Sequence, residues 1–577
     1  MDSVAREEER IRNLFDSVES DEELIPGDSS DTENDLLNES VHNTDTEQEC
    51  EGDSESENQD DMPLAQRLAT YTAKDGSKWS KYPPPQNVRT RARNIVNIHL
   101  PTVKMAAKQA NTPLDAWLSM IDDSIIDDIV TCTNIYISSV SGQYVRDRDA
   151  NLTNSDELKA LFGLLYFAGV MKSNNLNTKE LWNTNGSGIE LFPATMGINR
   201  FHFLLRCIRF DNIHTRDERK KVDKLAPIRN IFERIVKSFQ NGFSPSEYVT
   251  VDEKLEPFRG KCPFRQYIKS KNAKHGIKIF GLADSRWFYT CNMEIYAGEQ
   301  PEGPYRISNA AADVVKRLVT PISGTGRNIF CDNWFMSVPL AKDLLKDHNL
   351  TCTGTIRLNK RELPQELTEK RGREKYSSLF AFSKDMTITS YIPKPGRVVI
   401  VASTMHHYNK IDPDTGVEKK PVMITDYNLH KGGIDVVDKL CGTYTVSRKC
   451  KRWPLTVFFG MLNVSGINAL VIYKNNIGVE NRVERRVFLK DLGLQLCKAH
   501  IASRLSLHSL PIHLKTSIKR IAGVEDEPKK KKEKRVSGRC EVCPTRKDRK
   551  THSSCCKCNK LICREHSVVC CEECAPH

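Results

Sequence analysis

No stretch of this sequence approaches the ~20 consecutive apolar residues that a membrane helix needs. The longest apolar run, Ala160–Met171, reads as a buried helix. Nothing at the start reads as a leader, since the chain begins Met-Asp-Ser and turns acidic at once, so no signal or transit peptide is expected. A secreted or membrane-spanning protein is thereby excluded as an expectation, and no membrane partner is sought. Residues 1–61 have almost no aromatics and hold 23 Asp/Glu against 3 Arg, so they cannot bury enough apolar surface to fold. Cysteine is sparse over most of the chain, yet 9 of the 19 crowd between Cys540 and Cys574. Without a leader, that cluster points to zinc rather than disulfides.

What is present is a divided charge. The net +11 separates into −20 over residues 1–61 and +31 over the remainder. Such an excess favours a polyanionic partner, most simply nucleic acid, although a lysine-rich solvated surface gives the same number. The tail carries Ser20 and Ser30 with acids downstream, as acidophilic-kinase sites do. Tethered to a basic body, it either competes for the DNA surface or confers solubility alone.

At 577 residues the chain exceeds one compact core, and its pattern suggests a succession of regions. An acidic tail (1–61) leads into a basic, proline-containing linker (62–98). Residues 99–247 carry apolar residues at three- and four-residue spacing, including Asn199–Phe210 with Arg200, Arg206 and Arg209. That helix belongs either to a dimerisation and DNA-binding bundle or to a core with a solvated basic face. Residues 248–360 switch to short β-rich runs, among them Tyr248–Val251 and Asn328–Cys331. Strands continue at Thr387–Ile392 and Arg397–Ala402 within the irregular, polar segment 361–416. Residues 417–444 hold the run Lys431–Asp438, and 445–527 are helical again. The basic linker 528–539 contains Lys529, Lys530, Lys531, Lys532, Lys534 and Arg535, read as a nuclear-localisation signal for an importin-type receptor or as a DNA-contacting linker. A cysteine-rich module (540–577) closes the chain. The expectation is an α+β multidomain protein, with a strand-rich core between helical regions, acting in the nucleus.

Three acidic settings stand out. Asp252 follows the apolar strand Tyr248–Val251, Asp332 ends the strand Asn328–Cys331, and Asp435 and Asp438 sit three apart on one helix face. Two strand-end carboxylates meeting a third from a helix make a two-metal site, suited to Mg²⁺ by its hard oxygen ligands. Taken singly, each Asp is more commonly a turn or cap residue; taken together, with a basic surround, the three settings favour the metal reading. Basic residues flank all three: Arg259, Arg265, Lys271, Lys274 and Lys278; then Arg357 and Lys360; then Arg448, Lys449 and Arg452. These are read as phosphate contacts. Trp453 either stacks on an unpaired base or packs against Pro454 and the helix that follows.

The terminal module reads C-x2-C-x11-C-x2-C-x4-C-x2-H-x4-C-x2-C from Cys540 to Cys574. Eight soft ligands in four pairs fit two tetrahedral Zn²⁺ ions. Interleaved as in cross-brace folds, Cys540, Cys543, Cys563 and His566 share one ion, and Cys555, Cys558, Cys571 and Cys574 the other. Cys556 and Cys570 are left over.

The sequence resembles the piggyBac family of DNA transposases. The resemblance rests on Val251-Asp252-Glu253, Pro257-Phe-Arg-Gly-Lys-Cys-Pro-Phe-Arg265, His275-Gly-Ile-Lys278, Cys331-Asp-Asn-Trp-Phe335 and Asp426-Tyr-Asn428. The Lys431–Asp438 run, Arg452-Trp-Pro454 and the Cys/His module complete it, over roughly 199–574. It implies a ribonuclease H-like catalytic core with an insertion before the third Asp, flanked by a helical dimerisation and DNA-binding region. It implies Asp252, Asp332 and Asp435 as the catalytic triad holding two Mg²⁺, with Asp438 as an additional ligand. Further implications are a homodimer, cleavage at terminal inverted repeats through hairpin ends, strand transfer into TTAA targets, and a zinc module that binds those repeats. RING-like ligase or histone-tail reader functions for the module, and a domesticated DNA-binding or chromatin protein without cleavage activity, are the alternatives.

Overall fold

A computed structural model describes residues 69–84, 101–269, 271, 273–478, 481–507, 509–524 and 537–568. The acidic tail, the lysine-rich signal at 529–535, and Cys571 and Cys574 lie outside the described residues. The chain forms two compact units, residues 1–508 and 509–577.

In the first unit the elements are β1 (Thr70–Thr72), β2 (Lys78–Ser80), α1 (Pro113–Leu118), α2 (Asp123–Val140), α3 (Ser155–Val170), α4 (Ile198–Cys207) and α5 (Arg229–Gly242). They continue as β3 (Tyr248–Pro257), β4 (Arg265–Tyr267), β5 (His275–Asp284), β6 (Thr290–Ile295), α6 (Ala311–Val319), β7 (Asn328–Cys331), α7 (Val338–Asp347) and β8 (Thr351–Thr355). Then come β9 (Ser378–Phe382), β10 (Thr387–Lys394), β11 (Arg397–Ser403), α8 (Val422–His430), α9 (Gly433–Thr443), α10 (Trp453–Ile477) and α11 (Arg485–Ser503). Very short strands at Thr102–Val103 and Phe243–Ser244 pair separately.

Helix starts follow local chemistry. Side chains of Thr112, Asp122, Asn154 and Ser337 accept backbone N–H groups in the first turns of α1, α2, α3 and α7, each satisfying a donor with no helical partner. α3 and α11 cross so closely that a Cβ on Gly163 would lie 2.6 Å from the Gly493 carbonyl oxygen. A polar thread joins the helices: Trp117 Nε1 donates to the Tyr166 hydroxyl (2.8 Å), which donates to the Leu462 carbonyl (2.5 Å).

The eleven strands form one sheet in the order β1-β2-β9-β10-β11-β8-β7-β3-β5-β4, with β6 also on β5. β3–β7 and β7–β8 are parallel; the other pairs are antiparallel.

Several expectations change here. Part of the expected linker is a hairpin: β1 and β2 bury Trp79 and join the sheet through Ser80 opposite Phe382. The Asp75-Gly76 turn, with Gly76 at φ +82°, is a hairpin signal that charged neighbours obscured. Within 361–416 the two expected strands form as β10 and β11, but β9 is an addition, and all three join the same sheet, β11 pairing with β8. Asp252 is not at a strand end, because β3 runs on to Pro257.

The absence of a long apolar helix also fails. α10 is long and apolar enough to cross a membrane, with mean hydropathy 1.8, and that stretch is buried throughout by protein. Polar residues broke the run in the sequence, and the fold satisfies them. Asn468 exchanges two 2.9 Å hydrogen bonds with the Thr290 backbone. Asn463 accepts the Val446 N–H at 2.9 Å.

Candidate active site and metal centre

The centre of the sheet explains how three distant aspartates meet. β3 and β7 run parallel and in register until Val251 lies beside Cys331, where β7 ends. Asp252 and Asp332 are the next residue on each strand. Successive strand residues alternate faces, so Thr250, Asp252, Lys254 and Glu256 share one face of β3. α9 lies on that face. A Cβ on Gly433 would come 2.8 Å from Thr250 Oγ1, and one on Gly281, paired with Asp252, would come 2.7 Å from Ile434 Cδ1. At Gly433 a side chain would collide with Thr250, whereas at Gly281 only the mobile tip of Ile434 would have to give; this close approach brings the first turn of α9, with Asp435, over Asp252.

Each carboxylate has its own setting. Asp332 Oδ1 accepts the N–H groups of Trp334 (2.9 Å) and Phe335 (3.3 Å), fixing the turn after β7. Burial raises Asp332, with the neighbouring Glu253 charge adding to it, while those N–H groups and Lys278 oppose the rise. Asp252 is raised well above the ordinary carboxylate range, first by burial and then by Glu253, Asp332 and Asp435; Lys271 opposes the shift. Anions that repel one another in a half-buried pocket form a site that needs cations. Asp435 is exposed and accepts Lys271 Nζ at 2.8 Å.

Asp438 is placed differently from expectation. It pairs with the buried Lys254 at 3.2 Å, and Lys254 also pairs closely with Glu256. Burial lowers the proton affinity of Lys254, but Glu256 and Asp438 more than offset it and hold the ammonium charged. Here Asp438 serves as an anchor of α9 on β3.

The expected DNA-contacting residues divide into two groups. Arg259, Lys274, Arg357 and Lys449 are exposed, and Lys360 is half-buried. Arg357 and Lys360 line a hollow of about 520 Å³ with Asn359, Arg361, Glu362 and Asp75 of the β1–β2 turn, a neighbour that sequence reading missed. Arg265 donates to the Arg259 and Gly260 carbonyls. Lys278 is buried, its Nζ 4.6 Å from the Trp334 ring and 3.9 Å from Glu253. Trp334 stacks on Phe280 at 5.5 Å.

Arg448 and Arg452 depart from the phosphate-contact reading. Arg448 donates to the Ser173 carbonyl (2.6 Å) and hydroxyl (3.1 Å). Arg452 donates to carbonyls of Leu205, Arg206 and Ile208, which end α4. Their guanidiniums brace the helical region. Trp453 packs edge-on against Phe264 at 5.0 Å. On α4, Arg200 is committed to Glu157, and just past its end Arg209 lies over Tyr136.

The second unit, described on its own, contains α12 (Ile512–Ala522), β12 (Gly538–Arg539) and β13 (Lys550–Thr551). Its candidate metal centre is compact. One ligand atom each from Cys540, Cys543, Cys563 and His566 all lie within 4.8 Å of one another. Cys543 Sγ lies 3.6 Å from Cys563 Sγ, and His566 Nδ1 lies 3.4–3.8 Å from the three sulfurs. A Zn–S bond of ~2.3 Å implies sulfur–sulfur edges of about 3.8 Å, so the donor set fits one tetrahedral Zn²⁺. The Cys563 N–H, 3.2 Å from Cys540 Sγ, leads the interactions that lower that thiol to about 6 and favour the thiolate a metal needs. Cys555 and Cys558 stand in a separate tight turn, closed by Asn559 N–H to the Cys555 carbonyl at 2.9 Å.

Comparison with known proteins places the chain's family and fold. The family described as Transposase IS4 matches residues 112–470, more than half the chain. PiggyBac transposable element-derived protein 3 of Homo sapiens is 24% identical over 372 residues, covering 61% of this chain and 60% of that protein. The match therefore spans less than two thirds of that relative's length. A solved structure, the cryo-EM structure of piggyBac transposase synaptic complex with hairpin DNA, is similar at TM-score 0.70 and 34% identity. That similarity covers 83% of this chain and all of the solved one.

Proposed function

The chain belongs to the piggyBac family of transposases, and from that premise we propose that it cuts and joins DNA at a site built from Asp252, Asp332 and Asp435. The observation that carries the reading is the convergence of β3, β7 and the first turn of α9, which Gly433 allows to seat against Thr250. The strand order β8-β7-β3-β5-β6, with only the β3–β7–β8 part parallel, supports a ribonuclease H-like core.

The donor set suits two Mg²⁺, hard cations that take carboxylate oxygen and water. Bound there, they would supply Lewis-acid stabilisation of the attacking and leaving oxygens of a phosphodiester. The chain's own residues do the rest. The N–H groups of Trp334 and Phe335 hold Asp332 in one orientation. Lys254 holds Asp438, and with it the pitch of α9. The exposed Arg259, Lys274, Arg357 and Lys449 supply phosphate contacts that orient the duplex.

The finer features of the proposal are homodimeric synapsis of terminal inverted repeats, hairpin ends and transfer into TTAA. Repeat recognition by the Zn²⁺ module and nuclear entry through Lys529–Lys532, Lys534 and Arg535 complete it. The test uses the purified full chain with duplexes carrying the inverted repeats and TTAA that flank its gene. Mg²⁺-dependent nicking, hairpin formation and joining are expected, and Asp332→Asn should retain DNA binding while losing all three. Binding without cleavage by the unaltered chain would favour the domesticated DNA-binding reading. Alanine replacement of the 529–535 cations should abolish nuclear accumulation of a tagged protein; unchanged accumulation would refute that signal.

A further inference from the structure

Lys271 is oddly placed for a phosphate contact. The turn between β4 and β5 is tight: Ile268 N–H donates to the Lys274 carbonyl (2.8 Å), Lys274 N–H to the Lys271 carbonyl (3.0 Å), and Lys274 takes φ +53°. The turn folds Lys271 inward over the strand ends. Its side chain is only 16% exposed, and Nζ lies 2.8 Å from Asp435 Oδ1. A loop lysine ordinarily extends into water. This one is inserted among carboxylates, acting on Asp252 and Glu253 as well as Asp435. Lys278 approaches the same cluster from Glu253.

We propose that Lys271 is a built-in counter-ion of the carboxylate cluster, one that a divalent cation must displace and that a DNA phosphate then receives. The inference rests on the triad reading and adds regulation to it. An ammonium and a divalent cation compete for the same Asp435 oxygens, and at a few ångströms in a half-buried site they repel strongly. A displaced ammonium with no anion nearby opposes metal entry; a phosphate at the rim removes that cost. Cation and DNA therefore bind with positive coupling, each raising affinity for the other by the same factor. The arrangement restrains metal loading until DNA is present. Lys271 is thus a positioning residue, acting through Asp435.

The test is calorimetric titration of Ca²⁺, a hard oxygen-seeking cation, into the full chain with and without a short duplex, after subtracting the heat of the duplex alone. For the unaltered protein the duplex should raise Ca²⁺ affinity about tenfold, within the usual range for coupled sites. Lys271→Gln should bind Ca²⁺ about tenfold more tightly than the unaltered chain without DNA, and gain little when duplex is added. Lys271→Arg, keeping the charge, should behave like the unaltered protein. The metal-free Gln variant should also melt at a lower temperature, having lost its counter-ion. Equal or weaker Ca²⁺ binding by Lys271→Gln, with the unaltered chain binding normally, overturns the counter-ion inference alone. No Ca²⁺ binding by the unaltered chain even with duplex present, or binding indifferent to Asp252→Asn, overturns the metal-site reading and this inference with it.

Discussion

The carboxylates of β3, β7 and α9 stand on a scaffold that folds by apolar burial, whereas the ligands between Cys540 and His566 stand on almost none. Around the first group, Val251, Ile329, Phe330, Ile434 and Val437 are all buried, and glycines let the helix seat against the strands. Within described residues 537–568 only Cys540, Thr551 and Cys563 are buried, two of them candidate metal ligands. One region is a preformed cradle whose ligands can change without loss of the fold. In the other, the ligands take the place of a core, so metal and fold are one equilibrium.

The largest break in that comparison should come from chelation. Structural Zn²⁺ contributes roughly 10 kcal/mol or more to such a module. A strong chelator, or Cys563→Ser, should abolish protection of amides in 538–566 by hydrogen exchange and leave the first unit's melting temperature unchanged. Equal loss in both units would show that they do not fold independently.

Next is Asp332→Asn, which should lower strand cleavage roughly 10³-fold or more, the several kcal/mol a metal clamp supplies. The far-ultraviolet circular dichroism spectrum should be unaltered. A collapsed spectrum would show that the cradle depends on its ligands after all.

A smaller effect belongs to the anchor beneath the site. Lys254→Met leaves Glu256 and Asp438 without their shared cation, and breaking a buried pair in this way costs about 3–5 kcal/mol. The double change Lys254→Met with Glu256→Leu should recover much of that in urea unfolding. Recovery of stability without recovery of cleavage would separate holding α9 in place from holding the fold together.

Smallest is an acid effect. Burial alone would raise Asp426, but hydrogen bonds from His406 and His430 outweigh it and pull this carboxylate below its usual range. A depressed carboxylate contributes stability above its unfolded value near 4 and loses it as pH falls further. The unaltered chain should therefore lose a few degrees of melting temperature more than Asp426→Asn between pH 5 and about pH 3. Parallel curves would mean the pair contributes nothing.

Legibility in the sequence followed distance along the chain. Cys540, Cys543, Cys563 and His566 span 27 residues, and their expected grouping rested on pair spacing and the family resemblance. The strands around Asp252 and Asp332 showed in short β-rich runs. The partners of the lysines did not. Lys271 and Asp435 are 164 residues apart, and nothing local distinguishes Lys271, inserted among acids, from Lys274, which faces water. Arg448 and Arg452 looked like phosphate ligands because charge is visible in a sequence while the carbonyls of Ser173 and Leu205 are not. Trp79 was hidden by the charged residues of its own hairpin, and α10 by polar residues whose partners lie on other elements.

By itself the sequence determined the charge division, the order of acidic and soft-ligand motifs, and the family, because composition and spacing survive without coordinates. Only the tertiary structure decided which charges are buried and paired and which face solvent. A cation's role depends on whether its nearest anion is water-facing, buried or absent, and strand register with helix seating sets that distance. Parallel pairing of β3 with β7 put Asp252 beside Asp332. Close seating at Gly433 and Gly281 added Asp435. The same packing turned Lys254 into an anchor and Lys271 into a counter-ion, and left Arg259, Lys274, Arg357 and Lys449 facing solvent, where DNA can reach them.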